Sequence, residues 1–375
     1  MTLFPDAPAS GAPSEAPAEA PEALPDLLGA LLPAGSPIPR DSAVAVLRRH
    51  LGRIQGRVQK AFEARDIQGL AAARWLASLT DEVMRAAHAY TLAQSPAHDG
   101  SEAGWALVAT GGYGRGVLAP FSDIDLLFLT DTPMGAQGKR SVEFMLYLLW
   151  DLGVKVGHAT RTCAECIEDA KRDATVLTAL LDARPIAGEA AVFERFERDF
   201  RKARERWGLG TFLAAKRAER STRHARYGDS PYLVEPHLKE GRGGLRDLQT
   251  LYWIARYAFN VQKMPELVHP VGHGGALLTE REARQIRRAW NFLWTVRFHL
   301  HLVSGRAEER LTFDLQPVVG ARMGYTRHGL QDGVERFMKH FFLNARDIAR
   351  FTRILEPAIE RASLGPPAVV PASDR

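Results

Sequence analysis

The residues best suited to chemistry fall in one short stretch, Gly111 to Leu129, which reads GGYGRGVLAPFSDIDLLFL. Side chains alternate along a strand, so a strand through this run is expected to set Asp123 and Asp125 on one face and Ile124 and Leu126 on the other. Two carboxylates so close repel one another unless something neutralises them, and the economical neutraliser is a divalent cation with hard oxygen ligands, typically Mg2+. Gly111 and Gly112 offer backbone N–H groups that phosphate oxygens can approach with no Cβ in the way, where a helix is expected to begin. A cation beside such a cradle is what a bound triphosphate needs. Other glycine-rich readings fail on the letters: a dinucleotide fingerprint from Gly112 needs glycine where Val117 stands, and a P-loop needs a lysine that does not follow. A glycine turn with incidental aspartates is the plainer alternative, weakened because acidic residues are depleted in strands.

A glycine pair, a short spacer and then Asp-x-Asp in an apolar strand resembles the nucleotidyltransferase superfamily of the polymerase-β fold. The whole string from Gly111 to Leu129 is similar to the signature of the bacterial PII uridylyltransferase (GlnD) family. Far downstream, SPYLVEPHLKEGRGGLRDLQ, from Ser230 to Gln249, resembles that family's EP-x-x-K-x-x-x-GGLRD block. LWDLGVKVGHATRT (Leu149 to Thr162) and RFHLHLVSGRAEERLTFDLQ (Arg297 to Gln316) resemble it too, so the likeness runs from Leu47 to Glu356. The resemblance implies Mg2+-dependent transfer of UMP from UTP to a tyrosine hydroxyl of the PII signalling protein, releasing pyrophosphate. It implies Asp123 and Asp125 as catalytic metal ligands, with Gly111, Gly112, Arg115, Ser122, Lys239 and Arg246 around the nucleotide. It leaves two alternatives open: a nucleotidyltransferase with another acceptor or nucleotide, such as an adenylyltransferase or RNA-end transferase, and a degenerate regulatory module.

One departure motivates the last alternative. Polymerase-β-type enzymes commonly carry a third carboxylate on the strand after the intervening helix, and here that strand reads Val154-Lys155-Val156-Gly157-His158-Ala159, with no acid. Asp151 and Asp182, at helix ends, could approach a metal, although each reads more simply as a solvated terminus. Lys155 and His158 could touch phosphate or sit as ordinary strand residues. Lys239 and Arg246 could reach phosphate or base across a cleft, while Asp247 reads equally as a helix-end charge. The family usually continues into an HD metal-hydrolase domain and paired ACT domains, and neither is expected in this chain.

The elements that must position these groups follow from periodicity. Residues 1–40 are rich in Pro and Ala and are expected to form a disordered tail with a short apolar helix near Leu27. From Asp41, a plausible N-cap, Val44, Leu47, Leu51, Ile54, Val58 and Phe62 recur at helical spacing, and a second helix follows from Gln68 to Ala93. After a polar linker at Ser95 to Glu102, strands are expected at Trp105 to Thr110, Ile124 to Leu129, Val154 to Thr160 and Ala183 to Ile186, with helices at Lys139 to Leu152 and Asp169 to Leu181. Beyond Glu189 helices dominate: 191–206, 211–226, 245–259, 280–303 and 329–355. The fold class is therefore α+β (mixed), and the resemblance implies a polymerase-β-like domain with a small mixed sheet at 101–190, beside an N-terminal helical hairpin at 41–100, a larger helical domain at 191–360 and a linker or tail at 361–375.

Composition narrows the function classes. Lys and Arg exceed Asp and Glu by 49 to 44, which suits a phosphate-bearing ligand but is too small an excess to call for nucleic acid. No apolar run is long enough for a membrane helix. The proline-broken N-terminus resembles no secretory signal, so a cytoplasmic protein is expected. Cys163 and Cys166 form a lone CxxC with no second pair, best read as small residues in the first turn of a helix starting near Thr162. Basic residues over Arg198 to Arg226 alternate with glutamates, as on a solvated helix face, whereas Trp290, Phe292, Trp294 and Phe298 read as core.

Overall fold

The computed structural model describes residues 26–94, 104–327 and 332–364. The first 25 residues, the linker expected at Ser95 to Glu102 and the segment beyond residue 364 lie outside them. Three helices lead the described chain: α1 (Leu27–Leu31), α2 (Arg40–Glu63) and α3 (Gly69–Gln94). The apolar stripe of α2, with Val44, Leu47, Ile54, Val58 and Phe62 buried, packs on α3 as its spacing requires. α1 is the short apolar helix expected near Leu27: Asp26 caps it through Gly29 N and Leu31 is fully buried. One expectation changes here. Asp41 is not the cap, because α2 begins at Arg40 behind Pro39 and Asp41 lies in its first turn, where a carboxylate still favours the helix dipole.

The sheet is built from β1 (Ala106–Ala109), the single helical turn α4 (Gly111–Gly114), β2 (Ile124–Thr130), the crossover helix α5 (Ala136–Asp151) and β3 (Val156–Thr162). Then come α6 (Cys163–Arg172), α7 (Ala174–Leu181) and β4 (Arg184–Gly188). Its order is β3-β2-β1-β4. β1 runs antiparallel to β2 and β4, and β2 runs parallel to β3, pairing Asp125 with Gly157. Parallel neighbours need a long crossover, which α5 supplies. The helix expected at Asp169 to Leu181 is two helices, because the Asp173 carboxylate accepts from Thr175 N and starts α7 afresh. Thr162 and Glu165 form a capping box at α6, and Cys163 and Cys166 are free and buried behind it. Burial pushes both thiols up to about 12, the opposite of a reactive or metal-binding thiolate.

The helical region comprises α8 (Ala190–Trp207), α9 (Leu209–Tyr227), α10 (Leu245–Phe259), α11 (Glu280–Ser304), α12 (Leu315–Arg322) and α13 (Gly333–Leu364). Trp290, Trp294 and Phe298 are buried in α11, which packs against both α3 and α13. The basic stretch on α8 and α9 is only partly a solvated face. Lys216 is buried with its ammonium 5.2 Å from the Trp253 ring centre, Arg223 pairs with Asp247 at 2.7 Å, and Arg204 is buried deeply enough to lower its guanidinium to about 10. Trp253 and Asp247, which cover Lys216 and Arg223, stand on α10, too far along the chain for a local charge pattern to reveal, although Lys216 also pairs with Glu219 on its own helix.

Candidate active site

Asp125 occupies the position at which β1, β2 and β3 converge. Its backbone carbonyl accepts from Thr110 N at 3.0 Å, so the end of β1 and the start of the glycine turn are tied to this residue. Its carboxylate lies between two glycines. A Cβ at Gly111 would come within 2.6 Å of Oδ2, and a Cβ at Gly157 within 2.6 Å of Oδ1. Gly111 also holds φ +56°, a left-handed conformation that glycine adopts freely. Burial and the charge of Asp123 together raise the Asp125 carboxyl above its ordinary value, against the pull of Lys239 and Arg115. A partly buried carboxylate forced upward by its neighbour is what a bound cation would relieve.

Asp123 is not in the strand. β2 starts at Ile124, and Asp123 is exposed at the end of the loop that leads into it. That loop contains a turn over Ala119 to Ser122, closed by Ser122 N to Ala119 O at 3.1 Å, with Pro120 second and Phe121 third at φ +63°. Proline second and positive φ third is the type II arrangement, whose third place ordinarily takes glycine. A left-handed phenylalanine costs roughly 1–2 kcal/mol, so contacts elsewhere must hold it. One such contact is visible: His301 Nδ1 on α11 donates to Pro120 O.

The helical region supplies the other wall. Leu238 N donates to Glu309 O at 2.8 Å, and His237 bridges Arg310, so the EPHLK segment and the segment after α11 form one short ladder. Burial, with Arg246 and Arg297 nearby, lowers the Lys239 amine below its usual range, and its charge acts on Asp125. Arg297 Nε donates to Glu309 Oε1 at 2.8 Å, and the same oxygen lies 3.5 Å from His301 Nε2. Burial alone would raise Glu309, but Arg297 and His301 overcome it and hold the carboxyl at about 2. A carboxyl depressed from 4.5 contributes stability that is complete above that pH and is lost as pH falls towards 2. Urea midpoints of wild type and Glu309→Gln are therefore expected to differ by a constant amount above about pH 5 and to converge as pH falls towards about 2.

Several residues with expected site roles prove to be struts. Arg115 is buried beneath the glycine turn; its guanidinium pairs with Asp182 and stacks 5.5 Å from the Trp253 ring centre, while Trp253 Nε1 donates to Asp182 at 2.9 Å. Asp182 is consequently neither a solvated terminus nor turned towards the Asp123 and Asp125 pair; it is 2% exposed and ties the turn to α10. Asp151 pairs with Arg40 of α2. Arg246 is engaged by Glu240 at 3.1 Å and Gln249 at 3.0 Å. Asp247 is buried and joins Arg223, His224 and Gly243 N. Lys155 is exposed, with its carbonyl bonded to Ile124 N, and exposed His158 stands edge-on to Trp150 at 6.1 Å. No group of three or more His, Cys, Asp or Glu side chains able to hold a metal occurs among the described residues. Gly157, His301 and Glu309 were not singled out in sequence; only the quoted strings containing them pointed their way.

The arrangement defines a class first. Residues 101–181 match the profile of the nucleotidyltransferase domain, and the glycine turn and both carboxylates lie inside that match. Residues 211–356 match the profile described as GlnD PII-uridylyltransferase, which contains Lys239, Arg246, His301 and Glu309. The chain belongs to the GlnD PII-uridylyltransferase family. It is 49% identical over 354 residues, 89% of its length, to a protein of Gluconobacter oxydans named bifunctional uridylyltransferase/uridylyl-removing enzyme. Proteins of the same name from Azospirillum brasilense and Nitrobacter winogradskyi are 46% and 44% identical over 88% and 89% of the chain. The match covers 36%, 35% and 37% of those proteins, so the chain spans about a third of the length of the curated relatives it matches. The sequence holds one His-Asp doublet, His98-Asp99, outside the described residues. No helix among the described residues is long and apolar enough to cross a membrane.

Proposed function

We propose that the chain catalyses Mg2+-dependent transfer of UMP from UTP to a tyrosine hydroxyl of the PII signalling protein, releasing pyrophosphate, in the cytoplasm and without nucleic acid. The observation that carries this reading is the Asp125 carboxylate, held between Gly111 and Gly157 beside Asp123 and under the charge of Lys239. The residues fit a hard divalent cation: two like-charged oxygen donors, one with its carboxyl raised, and few protein ligands otherwise, which leaves coordination sites for triphosphate oxygens. Asp123 and Asp125 would hold it. Bound there, Mg2+ supplies neutralisation of charge on the triphosphate.

The chain's own groups do the rest. The Gly111 and Gly112 turn lets phosphate oxygens approach its backbone, and Lys239 places a positive charge opposite the carboxylates, where charge builds on the phosphoryl oxygens and the leaving group. Ser122, next to Asp123, stands at the same edge. Arg115 and Arg246 act from behind, Arg115 by fixing the turn to α10 and Arg246 by holding Glu240 near Lys239. A tyrosine hydroxyl delivered to Asp125 would have a carboxylate within reach for its proton.

The test mixes the 375-residue chain with a PII-type protein, Mg2+ and each labelled nucleoside triphosphate in turn. Label is expected on PII from α-labelled UTP, and none is expected with EDTA. Preference for ATP would overturn the uridylyl assignment, and label on RNA but not on PII would overturn the acceptor.

A further inference from the structure

We propose that His301 is a positioning residue for Asp123, acting through the Pro120 carbonyl to hold the turn before β2 in its type II form. The inference rests on reading Asp123 as a metal ligand. Type I and type II turns differ chiefly in the orientation of the peptide between their second and third residues. Here that peptide joins Pro120 to Phe121, and its carbonyl oxygen accepts from His301 Nδ1. The flipped, type I form would give Phe121 an ordinary negative φ and is the one a phenylalanine favours by itself. The observed φ of +63° therefore needs a contact that discriminates the two orientations of the peptide. His301 is such a contact: it is fully buried, and its other nitrogen faces Glu309 Oε1 at 3.5 Å.

Apart from His301, the turn meets little restraint. Phe121 is 48% exposed. Beneath Pro120 and Phe121 lies a small cavity of about 80 Å³, lined by Val58, Leu76, Phe298 and Leu302 among others, so apolar packing leaves room for the turn to move. Asp123 follows two residues after Phe121, and a peptide flip re-aims the chain at that point. Asp125, fixed in the ladder, would not follow. The Glu309 carboxylate that faces His301 also acts on Lys239, which opposes Asp125. The helical region thus orders one carboxylate's loop and faces the other through a single buried ionic group.

The test uses the full chain and Mn2+ with UTP, reading binding as enhanced water-proton relaxation and folding as a thermal midpoint. His301→Leu is expected to weaken Mn2+·UTP binding about 10–100-fold. His301→Asn, whose Nδ2 can stand where Nδ1 stood, is expected to keep most of the binding, and His301→Gln, whose donor falls at the other nitrogen, to lose it. Should His301→Leu not fold, the Asn and Gln pair carries the comparison. Phe121→Gly in the weakened background is expected to restore part of the binding, because glycine takes positive φ without strain. A folded His301→Leu that binds as wild type does, or an Asn variant as weak as Gln, would overturn the positioning role alone. No Mn2+ enhancement in wild type would overturn the metal reading and this inference with it.

Discussion

Asp125→Asn is expected to lower transfer at least about 10³-fold while leaving the fold intact and the metal-free protein slightly more stable. The two effects have one cause. The Asp125 carboxyl is raised by burial and by Asp123, and a carboxyl whose folded value lies above its unfolded value costs the folded state stability once pH exceeds the unfolded value. The amide keeps the shape and removes that cost, along with the charge that a cation requires. Wild type should recover the difference when Mg2+·UTP is added, since a ligand at 100 times its Kd stabilises by about 2.7 kcal/mol; the variant should not respond. Asp123→Asn is expected to lose activity comparably with a smaller rise in metal-free stability, because it removes the repulsion between the two carboxylates and leaves the burial of Asp125 in place. Thermal melts with and without Mg2+·UTP, beside a transfer assay, separate the cases. Undiminished transfer in either variant would remove that carboxylate from the mechanism, and a metal-free Asp125→Asn that melts lower would contradict the electrostatic account.

What the sequence disclosed of this site was its local part. Glycine pairs, alternating carboxylates and an apolar strand are written in consecutive letters, so the turn at Gly111 and a strand through Asp125 could be read directly, while the small mixed sheet came with the family resemblance. The error at Asp123 is instructive: alternation assumed a strand already begun, whereas the chain is still completing a turn at Ser122. The resemblance set Arg115 around the nucleotide, whereas its guanidinium is paired with Asp182, 67 positions away, a contact no local reading could supply. Lys216 and Arg223 likewise looked solvated until α10 covered them. His301 reaches Pro120 across 181 positions. Pairings of this kind come from the packing of helices on the sheet, and no window along the chain contains both members.

Gly157 bears on the strand from which a third carboxylate was expected. Gly157→Ala is expected to lower kcat about 10²-fold, the order of cost for misplacing a reacting group by about 1 Å, with stability unchanged within about 0.5 kcal/mol. Gly157 is an exposed strand residue and has no positive φ, so alanine fits the backbone. Its new methyl group would meet one residue only, Asp125, at 2.6 Å from Oδ1 and 3.7 Å from Cγ. The carboxylate can swing aside at little cost to the fold, but it then leaves the position in which it stands beside Asp123. Gly111→Ala should behave differently: it meets Oδ2 at 2.6 Å and must also hold φ +56°, so a strain of roughly 1–2 kcal/mol should lower stability and activity together. Thermal midpoint and kcat measured on the same preparations distinguish the two substitutions. If Gly157→Ala kept wild-type kcat, the carboxylate would not need its position between the glycines. The strand's failure to supply an acid would then be an incidental loss rather than room kept clear for Asp125.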